Sequence, residues 1–463
     1  MNAPIKTTRF AAEAFSEWAS GLTADAVPAR AREVARLGLI DHVGLAVSAR
    51  REPYVHAVLA SWDGEGPCTA FGHGRGFDAA GAALVNGVAS HGEDYDDTFE
   101  GNPVHTSTVV IPAVLAVCER YGRSGADALA GIVAGGEFIC RMALVAPTAI
   151  HRAGFHPTAV IGALGAAVGT GVALGLNARQ LTDALGVAGS TASGIIEYLA
   201  EGTWTKRLHP GWAAQAGIRA ALLGKHGFLG PRSVIEGEHG FFFAFAAPGI
   251  ERRYGELTDG LGARFHMENI AFKPYACGTM TQPFIDCAIR LAEGGVRPEE
   301  VEDVLCRVGE GTVHRLWEPL SEKRRPSTPY SAKFSVPYCV AVGLVDRAAG
   351  LGQFTEARIA DPALLALTSK VRYEIDPDDE YPRNYSGDVT VRLRDGSERR
   401  VRQPHMRGGA REPLSEAEIL SKFDANVAFG GLAEAGAELR ALCGRLFEME
   451  DLSALGALRA RFE

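Results

Sequence analysis

The 463-residue sequence contains eight cysteines, but no two of them form a Cys-x-x-Cys pair. This absence disfavours zinc ribbons and cysteine-ligated iron–sulfur clusters. The sequence also lacks a basic excess, because its formal net charge is −9, and this makes nucleic acid or an anionic membrane a poor partner. The opening stretch MNAPIKTTRFAAEAF has no apolar core of a secretory signal, so we expect a cytoplasmic protein with reduced thiols.

One stretch without charge could be mistaken for a membrane span. Residues 157–176, PTAVIGALGAAVGTGVALGL, are long enough to cross a bilayer. The stretch is built from alanine and glycine rather than leucine and isoleucine, and small residues such as Gly162, Gly165, Ala166 and Gly169 would let neighbouring helices approach closely. We predict a buried central helix, since a helix that is apolar all round also belongs in a large protein core.

Helical periodicity dominates the chain as far as Lys273. In AVPARAREVARLGLIDHVGLAV, apolar residues recur at helical spacing, namely Val27, Ala31, Val34, Ala35, Leu37 and Leu39. Strand-like alternation begins only after Lys273, where Asp395-Gly396 in GDVTVRLRDGSERRVRQ predicts a hairpin. From PLSEAEILSKFDANV onward the helical pattern returns. The sequence therefore predicts a mostly α fold, with a large all-α domain from residues 1–272 and 411–463 and an inserted smaller α+β domain at 273–410.

Four polar segments stand in apolar or glycine-rich surroundings. They are HGEDYDDTFEGNPVH (91–105), HRAGFHP (151–157), EGTWTKRLHPGWAAQAG (201–217) and AFKPYACGTMTQ (271–282). The first places five carboxylates between two histidines. Carboxylates that lie so near one another repel, so they need a cation, a metal or a shared proton. The other segments add lysines and further histidines. This inventory suits removal of a proton next to a carboxylate while ammonium groups hold the substrate.

In these segments the sequence resembles the MmgE/PrpD family, which contains 2-methylcitrate dehydratases, cis-aconitate decarboxylases and iminodisuccinate epimerases. The motifs that carry the resemblance are NGVASHGEDYDDT followed by a histidine, GFHPT, GTWTKRLHPGWAAQAG, KPYACGTMTQ, AKFSVPY and PLSEAEILSKF. The resemblance covers nearly the whole chain. It implies an all-α domain with an α+β lid, assembled as a homodimer.

The resemblance also implies which side chains move protons. Asp94 matches the base, assisted by Asp97, and Asp94 and Thr98 would lie at the floor of the pocket. His105 matches the proton donor or acceptor opposite Asp94. Asp96 is predicted to be structural, since its neighbours already fill the apparent roles.

A second group of residues is assigned by the resemblance to holding the substrate's carboxylates. Its members are Lys206, His156, His209 and Lys273, with His91 as a further candidate that could equally be a structural histidine. Lys273 precedes a proline, so its backbone is expected to be extended and its side chain free to reach a pocket.

Two departures from the family pattern bear on the substrate. FEGNPV, between Thr98 and His105, looks about a residue longer than in the decarboxylase branch. Cys277 stands where that branch has a histidine, and Gln282 stands where dehydratase-like members often have another. We therefore rank cis-aconitate decarboxylation below dehydration at this stage, and we expect Cys277 and Gln282 to contact the substrate.

The function predicted from the sequence is a cofactor-free lyase of the dehydratase type that acts on a small di- or tricarboxylic acid. An epimerase of a dicarboxylate is the first alternative, because two opposed groups of matched pKa would serve both reactions. A Mg²⁺ site at DYDD is another, although such sites need a second acidic cluster and nearby lysines would compete with the ion. A non-catalytic carboxylate-binding protein would not need a titratable pair. We predict no bound metal and no cofactor.

Overall fold

The computed structural model describes residues 9 to 462, which form two compact units. The first unit contains the described chain up to Gly92, then Asp96–Ile270, and the chain from Ile419 onward. The second contains Glu93–Tyr95 and Ala271–Glu418. The fold is mostly α with a small α+β part, which confirms the predicted fold class.

The first unit is helical up to Ile270 apart from short strands. Its helices are α1 (Ala11–Ser20), α2 (Ala29–Ser48), α3 (Pro53–Ala60), α4 (Ala79–His91), α5 (Ser107–Tyr121), α6 (Gly125–Val145), α7 (Ala149–Arg152), α8 (Pro157–Ala173), α9 (Ala178–Thr191), α10 (Tyr198–Glu201), α11 (Thr205–Lys225) and α12 (Phe241–Phe245). The strands are β1 (Cys68–Thr69), β2 (Gly76–Phe77) and β3 (Thr98–Phe99), and β4 (Ile270–Ala271) ends this part of the chain. The apolar residues that recur at helical spacing just before and within α2 are buried, as expected.

The second unit combines helices with a sheet. Its helices are α13 (Gln282–Glu293), α14 (Val313–Leu316), α15 (Leu320–Arg324), α16 (Pro329–Ala332), α17 (Val336–Asp346), α18 (Glu356–Ile359) and α19 (Pro362–Thr368). Its strands are β5 (Val301–Val308), β6 (Val371–Ile375), β7 (Gly387–Leu393) and β8 (Glu398–Gln403). The chain then returns to helix in α20 (Glu416–Phe429) and α21 (Gly436–Arg445).

The sheet of the second unit has the strand order β6-β5-β7-β8, in which only β5 and β6 are parallel. The alternation read from the sequence sets its buried face, because Val304, Cys306 and Val308 of β5 are all buried. The β7–β8 connection contains the predicted turn, and Gly396 takes a φ of +84° there, a conformation that glycine adopts readily. The predicted hairpin is confirmed.

The uncharged stretch at 157–176 forms α8, and every residue of α8 is buried. It packs against α5, α6 and α11. Close approach requires its glycines, since a Cβ on Gly165 would lie 2.2 Å from Ile139 Cγ1. The predicted buried central helix is confirmed. Within the described residues, α6 alone is long and apolar enough to cross a membrane by length and composition, and 94% of its most apolar window is buried inside the protein.

A glycine contact sets the distance between α4 and α11. A Cβ on Gly87 would lie 2.6 Å from the Gly211 Cα, and a Cβ on Gly211 would lie 2.2 Å from the Leu84 carbonyl oxygen. No side chain fits at either position, so the two helix backbones touch directly. The contact lies one turn before His91 and two residues after His209, two histidines that the sequence assigns to the site.

A buried ion pair ties α6 to the segment that follows α12. The Arg141 side chain is fully buried and donates from Nε to Glu137 Oε1 over 2.6 Å. Its other nitrogens donate to the backbone carbonyls of Glu256, Asp259 and Arg264. Glu137 also accepts from the Met267 amide over 3.0 Å. One guanidinium therefore donates to three backbone carbonyls and to the carboxylate of Glu137, which is shielded from water.

Arg141→Met should destabilise the first unit by about 3–5 kcal/mol, because the substitution leaves a buried carboxylate without its cation. Urea unfolding followed by circular dichroism measures the change. Arg440→Met is the matched control, since Arg440 pairs with Asp424 at the surface and exposed pairs contribute little. Equal effects of the two substitutions would contradict the role given to Arg141.

A buried histidine–carboxylate cluster as candidate active site

The cluster is centred on the carboxylate of Asp96, which lies between two imidazoles. His91 ends α4, and its Nδ1 lies 2.7 Å from Asp96 Oδ2. His105 precedes α5, and its Nδ1 lies 3.3 Å from the same oxygen. All three residues are buried, and the two rings are 4.8 Å apart between centroids. One carboxylate therefore orients two histidines in the interior of the first unit.

Hydrogen bonding determines the tautomer of His105. Its Nδ1 lies 2.5 Å from the Asp97 backbone oxygen, and its own amide donates to Thr158 Oγ1 over 3.1 Å. A carbonyl oxygen can only accept, so Nδ1 must carry the hydrogen. Nε2 is then the nitrogen that gains or loses the proton at the ring, which is the arrangement of a general acid or base.

Two further histidines extend the cluster as a bonded pair. His156 caps the start of α8, His209 lies on α11, and their Nδ1 atoms are 3.0 Å apart. Burial, aided by neighbouring imidazoles and the Lys206 ammonium, lowers the pKa of His156 well below its ordinary value. Burial and the charges of His91 and Lys206 lower the pKa of His209 to about 4. Both rings are therefore neutral near pH 7, and only one Nδ1 of the pair donates to the other.

Lys206 and Thr98 also belong to the first unit and supply the remaining polar groups predicted there. Lys206 is half-buried near the start of α11, where its charge acts on both His156 and His209. Thr98 is buried in β3, and no partner among the described residues reaches its hydroxyl. A buried hydroxyl without a partner is costly, so this one is suited to a ligand.

Asp97 performs a structural task as well as lying beside the cluster. Its carboxylate accepts from Thr106 Oγ1 and Ser107 Oγ, each over 2.8 Å, and from the Ser107 amide over 3.3 Å. Burial and the neighbouring Asp96 carboxylate raise the pKa of Asp97 to about 7, although these hydrogen bonds oppose the rise. Asp97 thereby anchors the end of the acidic segment to the first turn of α5.

The donors of the cluster bear on the Mg²⁺ alternative. His91, Asp96 and His105 offer ligand atoms that all lie within 4.8 Å of one another. Two imidazoles and a carboxylate form a donor set for zinc or another transition metal. Magnesium prefers an all-oxygen shell, so this group does not fit the ion considered from the sequence.

The second unit holds the predicted base and its lysine. Lys273 Nζ donates to Asp94 Oδ1 over 2.8 Å and to the Asp94 backbone oxygen over 2.9 Å, and both side chains are buried. Lys273 was predicted to bind the substrate, and the structure pairs it with the predicted base. Such a pairing stabilises the ionised carboxylate.

The two residues at which the family pattern is broken also lie in the second unit. Cys277 is fully buried and its sulfur accepts from Thr281 Oγ1. Gln282 begins α13 and donates from Nε2 to the Cys277 carbonyl over 3.2 Å. Its buried Oε1 has no partner among the described residues. The segment therefore contains a buried acceptor that has no partner among the described residues.

Asp96 is predicted from the sequence to be structural. In the structure its carboxylate contacts both histidines of the acidic segment. The sequence does not single out this contact, because four other carboxylates share the segment.

Comparison with known proteins agrees with the geometry. Residues 13–251 match the MmgE/PrpD N-terminal domain and residues 275–442 match the MmgE/PrpD C-terminal domain. The human cis-aconitate decarboxylase is 31% identical over 394 residues, covering 81% of this chain and 78% of that protein. The cis-aconitate decarboxylase of Aspergillus terreus strain NIH 2624 is 28% identical over 436 residues, covering 88% and 87%.

Acid should destabilise the protein partly through the neutral histidine pair. The folded-state pKa of His209, about 4, lies below the ordinary 6.5, so the unfolded chain binds the proton first as the pH falls. Stability from this residue is complete above pH 6.5 and is lost as the pH falls toward 4. His209→Asn should therefore lose less stability than the wild type between pH 7.5 and 5, by roughly 1–2 kcal/mol.

Urea unfolding of both proteins at the two pH values measures this difference. The raised pKa of Asp97 has the opposite sign, because its protonated form favours the folded state, but it acts in both proteins and cancels in the comparison. Identical pH dependence in the two proteins would contradict a depressed pKa at His209.

Proposed function

Because the chain belongs to the MmgE/PrpD family and is an enzyme of the lyase type, we propose that it acts on a small tricarboxylic acid of the aconitate type. The observation that carries this proposal is the pair of imidazoles held by Asp96 in the first unit. Decarboxylation is the leading reaction, since the relatives described above are named cis-aconitate decarboxylases.

The reaction needs one well-placed proton. When the bond to the departing carboxylate breaks, its electron pair shifts through the adjacent double bond, and a carbon atom must be protonated as CO₂ leaves. His105 suits this step, because its Nδ1 hydrogen is held by the Asp97 carbonyl and Nε2 is left to exchange the proton. Asp96 would steady the imidazolium form of His105 before the transfer.

The remaining groups of the first unit suit the substrate's carboxylates. Lys206 contributes the positive charge, and a buried Thr98 hydroxyl without a partner among the described residues contributes a donor. Both rings of the His156–His209 pair would be neutral, because their pKa values are depressed. One ring donates its single N–H to the other, so only the accepting ring would offer an N–H to a carboxylate. Neutral donors hold a carboxylate without adding repulsion toward Lys206.

Dehydration of a 2-methylcitrate-like acid is the second candidate. Cys277 at a position where the decarboxylase branch has a histidine, and the longer FEGNPV connection, favour it. In that reaction Asp94 would remove the α-proton. The Lys273 ammonium, 2.8 Å from Asp94 Oδ1, would hold that carboxylate in position.

Turnover in D₂O tests the proposal. Chelator-treated protein is mixed with cis-aconitate, 2-methylcitrate or iminodisuccinate and followed by NMR. We expect cis-aconitate to lose CO₂ and the product acid to carry solvent deuterium. Loss of water from 2-methylcitrate would favour the second candidate, and exchange at the α-carbon without elimination would indicate an epimerase.

His105→Gln should lower kcat by about 100-fold or more, because a general acid or base is lost. His226→Gln, an exposed histidine that caps the end of α11, is the matched control and should leave kcat unchanged. If the wild-type protein turns over none of the three acids, the proposed function is wrong.

We also propose a homodimer, in line with the resemblance noted from the sequence. Several large apolar side chains between residues 195 and 212 of the first unit are exposed, namely Ile195 at 61%, Leu199 at 52%, Trp204 at 50% and Trp212 at 45%. Apolar groups concentrated in this way usually mark an interaction surface. Trp212→Glu should therefore shift the mass measured by light scattering from dimer to monomer, whereas a monomeric wild type would contradict the proposal.

A further inference from the structure

The three residues Glu93–Tyr95 belong to the second compact unit, although the chain on either side of them belongs to the first. Each of the three contacts a different residue of the second unit. Glu93 binds Lys333, Asp94 binds Lys273, and the Tyr95 hydroxyl donates to the Pro274 carbonyl over 3.0 Å. The short segment is therefore fixed residue by residue.

The two lysines bind in the same way at successive positions. Lys273 Nζ reaches both the side chain and the backbone oxygen of Asp94, over 2.8 and 2.9 Å. Lys333 Nζ reaches both the side chain and the backbone oxygen of Glu93, over 2.5 and 2.7 Å. Both ammonium groups come from buried side chains, with 1% of each lysine side chain exposed. A buried lysine is rare and is normally paired in this manner.

The conformation of Asp94 shows what this double contact achieves. Asp94 has a φ of +57°, in the left-handed region that side chains other than glycine seldom adopt. Aspartate tolerates the region better than most residues, but the conformation still requires support from its surroundings. The Glu93 carbonyl immediately precedes the Asp94 φ torsion, so the bond from Lys333 to that carbonyl acts directly on it.

We infer that Lys333 is a positioning residue for Asp94. By binding the carbonyl and the carboxylate of Glu93, Lys333 holds the left-handed turn that fixes the position of the Asp94 side chain. This inference rests on the second candidate of the proposed function, dehydration, in which Asp94 removes the α-proton. Lys333 acts through Glu93 and not on the substrate. Glu93 is its counterpart, because its carboxylate neutralises the ammonium that the turn requires.

Lys333 is itself held firmly. The Lys333 amide donates to the Tyr330 carbonyl of α16, and the Lys333 carbonyl accepts from the Gly278 amide over 3.0 Å. Its ammonium lies 5.8 Å from the centre of the Phe354 ring, within the range of a cation–π contact. Gly278 lies between Cys277 and Gln282. Lys333 therefore supports both the left-handed turn at Asp94 and the segment whose Cys277 and Gln282 are expected to contact the substrate.

Kinetics of Lys333→Met test the inference. Methionine keeps the length and apolar stem of lysine but donates no hydrogen bond. We expect kcat for the loss of water from 2-methylcitrate, the reaction in which Asp94 is the base, to fall at least tenfold, while KM changes less than threefold. Lys333→Arg, which keeps the charge and donors, should recover part of kcat. Glu93→Gln, which keeps the backbone acceptor, should lose less than Lys333→Met.

Lys370→Met is the matched control, because Lys370 is another lysine of the second unit that donates to a backbone carbonyl, that of Val301 at the start of β5. It should leave kcat unchanged. If Lys333→Met retains kcat within threefold of the wild type, or Lys333→Arg recovers nothing, Lys333 does not position Asp94. Where Lys333→Met fails to fold, Glu93→Gln decides: unchanged kcat in that variant overturns the inference.

Hydrogen exchange separates this inference from the proposed function. Mass spectrometry of a peptide covering residues 91–98 should show faster exchange in Lys333→Met than in Lys370→Met or the wild type. If the wild type turns over no tested acid but the exchange difference is present, the proposed function fails and the support of the turn by Lys333 stands. Equal exchange in the three proteins overturns the support itself.

Discussion

The constraint on which this protein depends is that a buried carboxylate must be compensated where it lies. The acidic segment meets this constraint four times in succession, each time with a different partner. Lys333 compensates Glu93, Lys273 compensates Asp94, two imidazoles share Asp96, and hydroxyl and amide donors at the start of α5 surround Asp97. Leaving any of these charges without a partner would cost several kcal/mol, so the compensating groups and the segment hold one another in place.

The electrostatics of the cluster reduce the number of charges inside the first unit. Burial lowers the pKa values of His156 and His209 and raises that of Asp97, so groups that would ionise in water move toward neutrality. Of these shifts, only that of Asp97 brings a pKa closer to neutral pH, where acids and bases exchange protons most efficiently. Lys206 then remains as a cation beside imidazoles that carry no charge of their own, which concentrates the attraction for an anionic substrate at one point.

Much of the fold followed from periodicity. The apolar face of α2, the buried helix α8 and the hairpin at Asp395-Gly396 were all read from the spacing of side chains, because burial selects such patterns residue by residue. The residues gathered in the first unit, including His91, His105, His156 and His209, were also named from local motifs. What the sequence could not reveal were pairings across long separations. Lys333 lies 240 positions from Glu93, and although its segment AKFSVPY carries the family resemblance, nothing in the sequence identifies Glu93 as its partner.

The direct backbone contact between Gly87 and Gly211 has a consequence for how such a protein could change its substrate. Because two helix backbones touch there, the spacing of the helices that carry His91 and His209 does not depend on the size of any side chain between them. The two glycines thus fix the spacing of two histidine-bearing helices, so substitutions that change which substrate is bound would have to occur at other positions.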